Sequence, residues 1–137
     1  MPEPLCAYNL TRQSFLGISV SRADTMLSRL RGLLGRRRLH QDEGLWMVPS
    51  CGIHTIGLLF SIDLVYLDSE LRVIHLIEHL SPFRIAPVKT DAQTVLQLPL
   101  RSIYASRTKV GDKLIICTPD RMESSIAPTL ESESRRL

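Results

Sequence analysis

The chain has 137 residues, of which 44% are hydrophobic and 23% are charged, and its formal net charge is +3. This length and composition fit one globular domain with its own core and are not those of a disordered or membrane protein. No segment approaches the roughly 18 apolar residues that a membrane-spanning helix requires, and the N-terminus lacks the pattern of a secretory signal. We therefore expect a cytoplasmic protein with no membrane span.

The N-terminal third predicts one strand followed by the main helix. Residues 1–14 are predicted to form an N-terminal arm. Residues 15–20 alternate apolar and polar side chains, which is the period of a half-buried strand. The main helix is expected over about 22–34, because Ser21 can cap its start and apolar residues then recur at helical spacing up to Gly35.

The remainder of the chain predicts mostly strands. These strands are expected over residues 45–48, 55–67, 71–77, 94–99 and 113–117, with a hairpin turn at 68–70. A short second helix is expected over about 100–106. Residues 119–137 are rich in Ser, Glu, Pro and Arg and lack an apolar period, which predicts a flexible tail. The pattern therefore predicts an α+β fold, predominantly β, with one globular domain over 15–118.

The three cysteines are Cys6, Cys51 and Cys117, which lie far apart in the sequence. An odd number of cysteines without paired spacing is not typical of a disulfide framework. We therefore expect reduced thiols.

Several short blocks carry a resemblance to a known family. They are Gly32–Arg36, then Asp42–Leu45, then His54–Thr55 with Phe60–Asp63 and Leu67–Asp68, then Val95–Pro99, and finally Val110–Leu114. In this order they resemble the signature blocks of the domain of unknown function 192 family, over roughly residues 15 to 117. The resemblance implies a compact, barrel-like antiparallel or mixed sheet with one main helix. It also implies a family to which no biochemical activity has been assigned.

The chain departs from the pattern of this family at four positions. Leu58 stands in place of the usual methionine and Ser61 in place of proline. Leu100 and Arg101 stand in place of the alanine and glycine that commonly follow the Leu-Pro pair.

Two motifs contain residue types that bind metal ions, but the pattern around each motif does not support a metal site. His75, Glu78 and His79 match the His-x-x-Glu-His pattern of zinc peptidases, which needs helical spacing to bring both imidazoles to one ion. The local pattern is that of a strand, where these histidines would lie about 13 Å apart. Cys51 and His54 lack a second pair of ligands. We expect no metal and no cofactor.

Asp63 is the most informative polar residue, because its carboxylate alternates with apolar side chains and must be compensated by hydrogen bonds or a cation. Backbone amides, His54, Thr55 or Arg36 could compensate it and fix the strand. Alternatively, His54, Thr55, Asp63 and Arg36 line a cleft that binds an anionic or hydroxylated ligand.

An arginine-rich segment could attract anions or a protein partner. It contains Arg29, Arg31, Arg36, Arg37 and Arg38 without an acidic residue. These side chains can also stabilise the C-terminal end of the main helix. Nucleic acid is not expected, because the few aromatic residues do not alternate with basic ones.

The sequence favours binding over catalysis. We expect a non-enzymatic binding or accessory module that recognises a protein partner or a small anionic ligand. The alternative is a small hydrolase-like enzyme that uses the His54 and Asp63 cleft. Ser61 completes no nucleophile elbow, which weakens this alternative.

Overall fold

The described part of the chain forms a curled half-barrel sheet of seven strands with two short helices. The computed structural model describes residues 3–23, 39–53 and 58–126. The strands are β1 (Leu5–Asn9), β2 (Ser14–Ala23), β3 (Glu43–Met47), β4 (Ile62–Leu67), β5 (Val73–Leu80), β6 (Thr94–Leu98) and β7 (Leu114–Cys117). The helices are α1 (Ser102–Ser106) and α2 (residues 119–126).

The sheet is mixed, which is one of the two arrangements that the resemblance leaves open. Its strand order is β5-β4-β6-β3-β2-β1-β7. Every neighbouring pair is antiparallel except β2 and β3, which are parallel. A parallel pair cannot be joined by a two-residue hairpin, and residues 24–42 separate β2 from β3 in the sequence.

The two edges of the sheet meet at one corner, which explains the barrel-like form. Arg72 and Lys113 form an isolated antiparallel bridge between the segments that precede β5 and β7. The amide of Val73 donates to the carbonyl of Asp112 at 2.8 Å, and the amide of Leu114 donates to the carbonyl of Leu71 at 2.9 Å. The sheet therefore closes at this corner and forms a half-barrel.

Both faces of the central strands are buried. Every residue of β4 and β6 is buried, which matches their almost continuous apolar sequences. One face contributes Val65 and Leu96 to an inner cluster, and the other contributes Leu64 and Val95 to an outer cluster. Each such side chain contributes about 1.5–3 kcal/mol on full burial.

Tyr66 on β4 attaches an irregular segment to the outer cluster. Its hydroxyl donates to the carbonyl of Pro87 at 2.7 Å. Burial, followed by the nearby Cys51, raises the pKa of Tyr66 to about 12, so the hydroxyl keeps its proton at neutral pH.

The short second helix is confirmed at Ser102–Ser106. Most of the main helix predicted over 22–34 lies outside the described residues. Its first two residues belong to β2, because Arg22 and Ala23 pair with Trp46 and Met47 of β3. The strand predicted over 55–67 begins only at Ile62.

The chain ends take part in the sheet and its cover. Within the predicted N-terminal arm, β1 pairs with both β2 and β7. The first eight residues of the predicted tail form α2, whose Met122 is only 2% exposed and packs with Cys6 and Tyr8. No helix in the described ranges is both long and apolar enough to cross a bilayer.

Candidate functional site

A cleft of about 480 Å³ opens where β3 and β4 begin and β6 ends. Its position follows from the antiparallel pairing of β6 with both neighbours, which brings these three strand ends together. It is lined by Phe15, Leu16, Leu39, Gln41, Asp42, Phe60, Ser61, Pro99, Leu100, Arg101, Ser102 and Ala105. Its volume falls in the range of about 300–1,000 Å³ that is typical of small-molecule sites.

The cleft combines an apolar wall with a few polar groups. Phe15 and Leu100 are large apolar residues of its lining, and they are 46% and 40% exposed. Arg101 supplies a cation, Ser61 supplies a hydroxyl, and Asp42 supplies a carboxylate of the opposite charge. Because Arg101 attracts an anionic group and Asp42 repels it, the lining suits a ligand that has an apolar body and an anionic group beside Arg101.

Two charged residues of the lining have left-handed backbone conformations. Both Asp42 and Arg101 have φ of 72°. The carbonyl of Asp42 accepts hydrogen bonds from the amides of Ile18 and Ser19, both at 2.9 Å, which hold this turn against β2. A non-glycine residue in a disfavoured conformation costs about 1–3 kcal/mol, and five further described residues outside the cleft lining share it, namely Gln13, Leu71, His79, Phe83 and Arg107.

Asp63 positions the helix that forms one wall of the cleft. The carboxylate is 1% exposed, and its Oδ2 accepts the amide of Ile103 in α1 at 3.1 Å. Its Oδ1 accepts the amide of His79 on β5 at 3.0 Å. Arg101 at the N-cap makes no side-chain capping bond, so Asp63 supplies a cap for α1 from β4.

Asp63 is thus the one predicted ligand-binding residue that the described ranges contain. His54, Thr55 and Arg36 lie outside the described residues. The predicted anion or partner patch, Arg29, Arg31, Arg36, Arg37 and Arg38, also lies outside them. Both of Asp63's carboxylate oxygens serve backbone amides, which corresponds to the structural alternative considered from sequence.

The histidine motif lies on a strand, as the sequence predicts. His75, Glu78 and His79 all belong to β5. The His75 ring meets the Tyr66 ring edge-on with centroids 5.1 Å apart, and burial together with the nearby Lys89 lowers the pKa of His75. Among the described residues, no group of three or more His, Cys, Asp or Glu side chains could hold a metal ion.

A second buried carboxylate, Asp112, organises the turn before β7. Its Oδ2 accepts bonds from Asn9 Nδ2 at 3.0 Å, Arg12 Nε at 3.0 Å and the amide of Lys109 at 2.9 Å. Burial acts to raise the pKa of Asp112, but these hydrogen bonds and the Arg12 charge outweigh it and lower the pKa. The turn is therefore a structural centre that joins β1 to β7.

Sequence reasoning missed most of the cleft lining, including Phe15, Phe60 and Arg101. One signal could have indicated Arg101, because the resemblance places a glycine at this position. Glycine adopts a left-handed conformation without cost, whereas the φ of 72° at Arg101 is unusual for arginine. Two further departures from the family pattern, Ser61 and Leu100, line the same cleft.

A comparison with models of protein families agrees with this fold. The model of the DUF192 family, described as "Uncharacterized ACR, COG1430", matches residues 8–116. The chain belongs to this family. DUF192 is a family of unknown function, so membership supplies the fold and leaves the ligand to be inferred from the site.

The names of two relatives of this DUF192 protein state no activity. A UPF0127 protein of Thermococcus sibiricus is 29% identical over 67% of this chain and 62% of its own length. Another UPF0127 protein, from Thermococcus kodakarensis, is 29% identical over 80% of this chain and 71% of its own length. The chain thus spans less than two thirds of the first of these relatives.

A solved structure shares the fold. It is a protein of unknown function from Novosphingobium aromaticivorans, with a TM-score of 0.69 and 18% identity. The match covers 82% of this chain and 83% of that protein.

Proposed function

We propose that this DUF192 protein is a non-enzymatic binding module whose cleft holds a small ligand with an apolar body and an anionic group. The observation that carries the proposal is that Arg101 lines a cleft of about 480 Å³ together with exposed Phe15 and Leu100. The arginine attracts the anionic group, and the apolar walls remove water from the rest of the ligand.

The hydrolase alternative has less support. A general base or nucleophile must reach the substrate, and both oxygens of Asp63 already accept backbone amides at 3.0 and 3.1 Å. Asp63 is also 1% exposed and is not part of the cleft lining. Asp63 therefore acts on the site by positioning α1.

Arg101 and Arg107 provide a matched pair of variants to test the proposal. They flank α1 at its two ends, and both have left-handed conformations, with φ of 72° and 58°. Arg101→Gln and Arg107→Gln each remove one charge at an end of α1, and Arg107→Gln also removes the bond from Arg107 Nη2 to the carbonyl of Arg12 at 3.2 Å.

The probe is 1-anilinonaphthalene-8-sulfonate, an aromatic sulfonate whose fluorescence reports binding. We expect saturable binding to the wild-type chain and an affinity about tenfold lower for Arg101→Gln, because a charge-assisted hydrogen bond is lost. Arg107→Gln should bind like the wild type. Equal affinities for all three chains, or no saturable binding at all, would contradict the proposal.

A further inference from the structure

Two cysteines lie opposite each other on the first and last strands of the sheet. Cys6 on β1 pairs with Cys117 on β7 in an antiparallel register. Directly opposite residues of such a pair have Cα atoms about 4.5–5.5 Å apart, which is within the range of about 4.4–6.8 Å that a disulfide requires. Both thiols are free in this structure.

The two thiols also share one face of the sheet. Cys6 and Cys117 both belong to the cluster that Tyr8 and Met122 form beneath α2. The alternate residues Ala7 and Ile116 belong instead to the inner cluster. The disulfide would replace a weak hydrogen bond of the Cys6 thiol, with 3.9 Å between its Sγ and the carbonyl oxygen of Ile18.

The two thiols differ in their access to solvent. Cys6 is 7% exposed, whereas Cys117 is partly exposed and lines an open hollow of about 470 Å³. Burial and the neighbouring Cys6 raise the pKa of Cys117, and Arg121, which lines the same hollow, offsets only part of this rise. A reagent in solution therefore meets Cys117 first, and Cys6 stands next to it as the second thiol.

We propose that Cys6 and Cys117 form a reversible cross-strand disulfide, with a low-molecular-weight disulfide as the oxidant. The Cys117 thiolate attacks one sulfur of the reagent, whose S–S bond breaks and releases the first thiolate. The Cys6 thiolate then attacks Sγ of Cys117, and the mixed S–S bond breaks to release the second. The two protons from the cysteines pass to these leaving thiolates, so two protein thiols are oxidised and one disulfide is reduced.

The bond would hold the first and last strands of the sheet together. It would close a loop from residue 6 to residue 117, which is nearly the whole sheet. In the chain-entropy account, a disulfide restricts the unfolded chain more strongly when the loop is longer. The oxidised chain should therefore resist unfolding more than the reduced chain.

The test incubates the full chain with oxidised glutathione at about pH 8.5, near the ordinary thiol pKa, and counts the remaining thiols. We expect the three thiols of the wild type to fall to one, with a peptide that joins Cys6 to Cys117. Dithiothreitol should restore all three. The Cys51→Ser control should fall from two thiols to none and form the same bond.

Cys117→Ser should form no such bond, and this partly exposed position keeps the test valid even if Cys6→Ser unfolds the chain. Wild-type chains that keep three thiols, or that form bonds only through Cys51 or between chains, would overturn the proposal. Oxidation should also raise the Tm of the wild type by about 5–10 °C. An unchanged Tm in chains that carry the bond would overturn its stabilising role.

Discussion

A single carboxylate, that of Asp63, joins three elements around the cleft. It lies on β4 and accepts one amide from β5 and one from α1. A buried amide without a partner costs about 1–3 kcal/mol, and this carboxylate supplies an acceptor for the buried amide of Ile103 and the partly buried amide of His79. The wall of the cleft that α1 forms therefore depends on a residue that does not line the cleft.

We predict that Asp63→Asn lowers the free energy of unfolding by about 2–4 kcal/mol. The amide of asparagine presents only one oxygen, so either His79 or Ile103 loses its acceptor and faces an NH₂ group. Urea unfolding measures this change.

The matched control is Asp68→Asn. There one oxygen, Oδ1, accepts both amides, from Glu70 and Arg72 at 2.9 Å each, and asparagine retains such an oxygen. We expect a change within about 0.5 kcal/mol for this partly exposed residue. An equal loss of unfolding free energy in Asp63→Asn and Asp68→Asn would contradict the stabilising role of the two bonds to Asp63.

Asp112 should make the stability of the folded chain depend on pH in the acid range. Because its pKa is lowered in the folded chain, its contribution is present above about pH 4 and is lost as the pH falls through the folded pKa. Asp112→Asn should be less stable than the wild type at neutral pH and should lose less stability between about pH 4 and 2.

Melting curves across this pH range measure the effect, with the exposed Asp91→Asn as control. The control should follow the wild type throughout. If Asp112→Asn lost as much stability in acid as the wild type does, the hydrogen bonds from Asn9, Arg12 and Lys109 would not be its source.

The sequence indicates which residues are unusual better than it indicates their partners. Asp63 is recognisable because a carboxylate alternates with apolar residues. Its partners lie 16 and 40 residues away, and nothing in the local pattern specifies backbone amides at those distances. Arg101 could be noticed as a departure from a family glycine, but its place in the cleft depends on strand ends that meet only in the folded chain.

At the scale of elements, α1 connects the fold to the proposed site. This helix of five residues contributes Ser102 and Ala105 to the cleft, and Asp63 caps its start. Ile103 anchors it in the inner cluster. The sequence predicts this helix over about 100–106, before the turn at residues 110–112.

Ala105→Phe should block the cleft. The exposed Ala105 lines it, and a phenyl ring would occupy the volume without changing the charge of Arg101. We expect binding of the aromatic sulfonate to weaken at least about tenfold, with a Tm within a few degrees of the wild type.

Ser124→Phe is the control, because Ser124 lines the other hollow, beside Cys117. The same ring added there should leave binding of the sulfonate unchanged. Loss of binding only in Ser124→Phe would assign the probe to that hollow and not to the cleft.

At both ends of the chain, the local sequence pattern does not predict the structure. Met122 and Ile126 lie four residues apart and both pack in the cluster with Cys6 and Tyr8, yet two apolar residues give too short a period to predict α2. The strand β1 is likewise short, and its pairing with β7 joins residues more than 100 positions apart. The division into an arm, a domain over 15–118 and a tail therefore stays a prediction.

At the scale of the molecule, the sequence predicts the class of fold and most strands, but not their arrangement. The hairpin of β4 and β5 follows from two apolar runs around Asp68–Glu70. The parallel pairing of β2 with β3 and the placement of β6 between β3 and β4 are long-range features, which register and burial determine together. The closure of the sheet at the bridge between Arg72 and Lys113 is also a long-range feature.

The most direct test of the proposed cleft is a titration of the ¹⁵N-labelled chain with the aromatic sulfonate, followed by amide chemical shifts. We predict that the largest early changes fall on Asp42, Ser61 and residues 100–105, and that Arg101→Gln reduces them. Changes confined to Ile115–Ser125, or to the exposed apolar residues Phe83, Ile85 and Val88, would contradict the assignment of the ligand to this cleft.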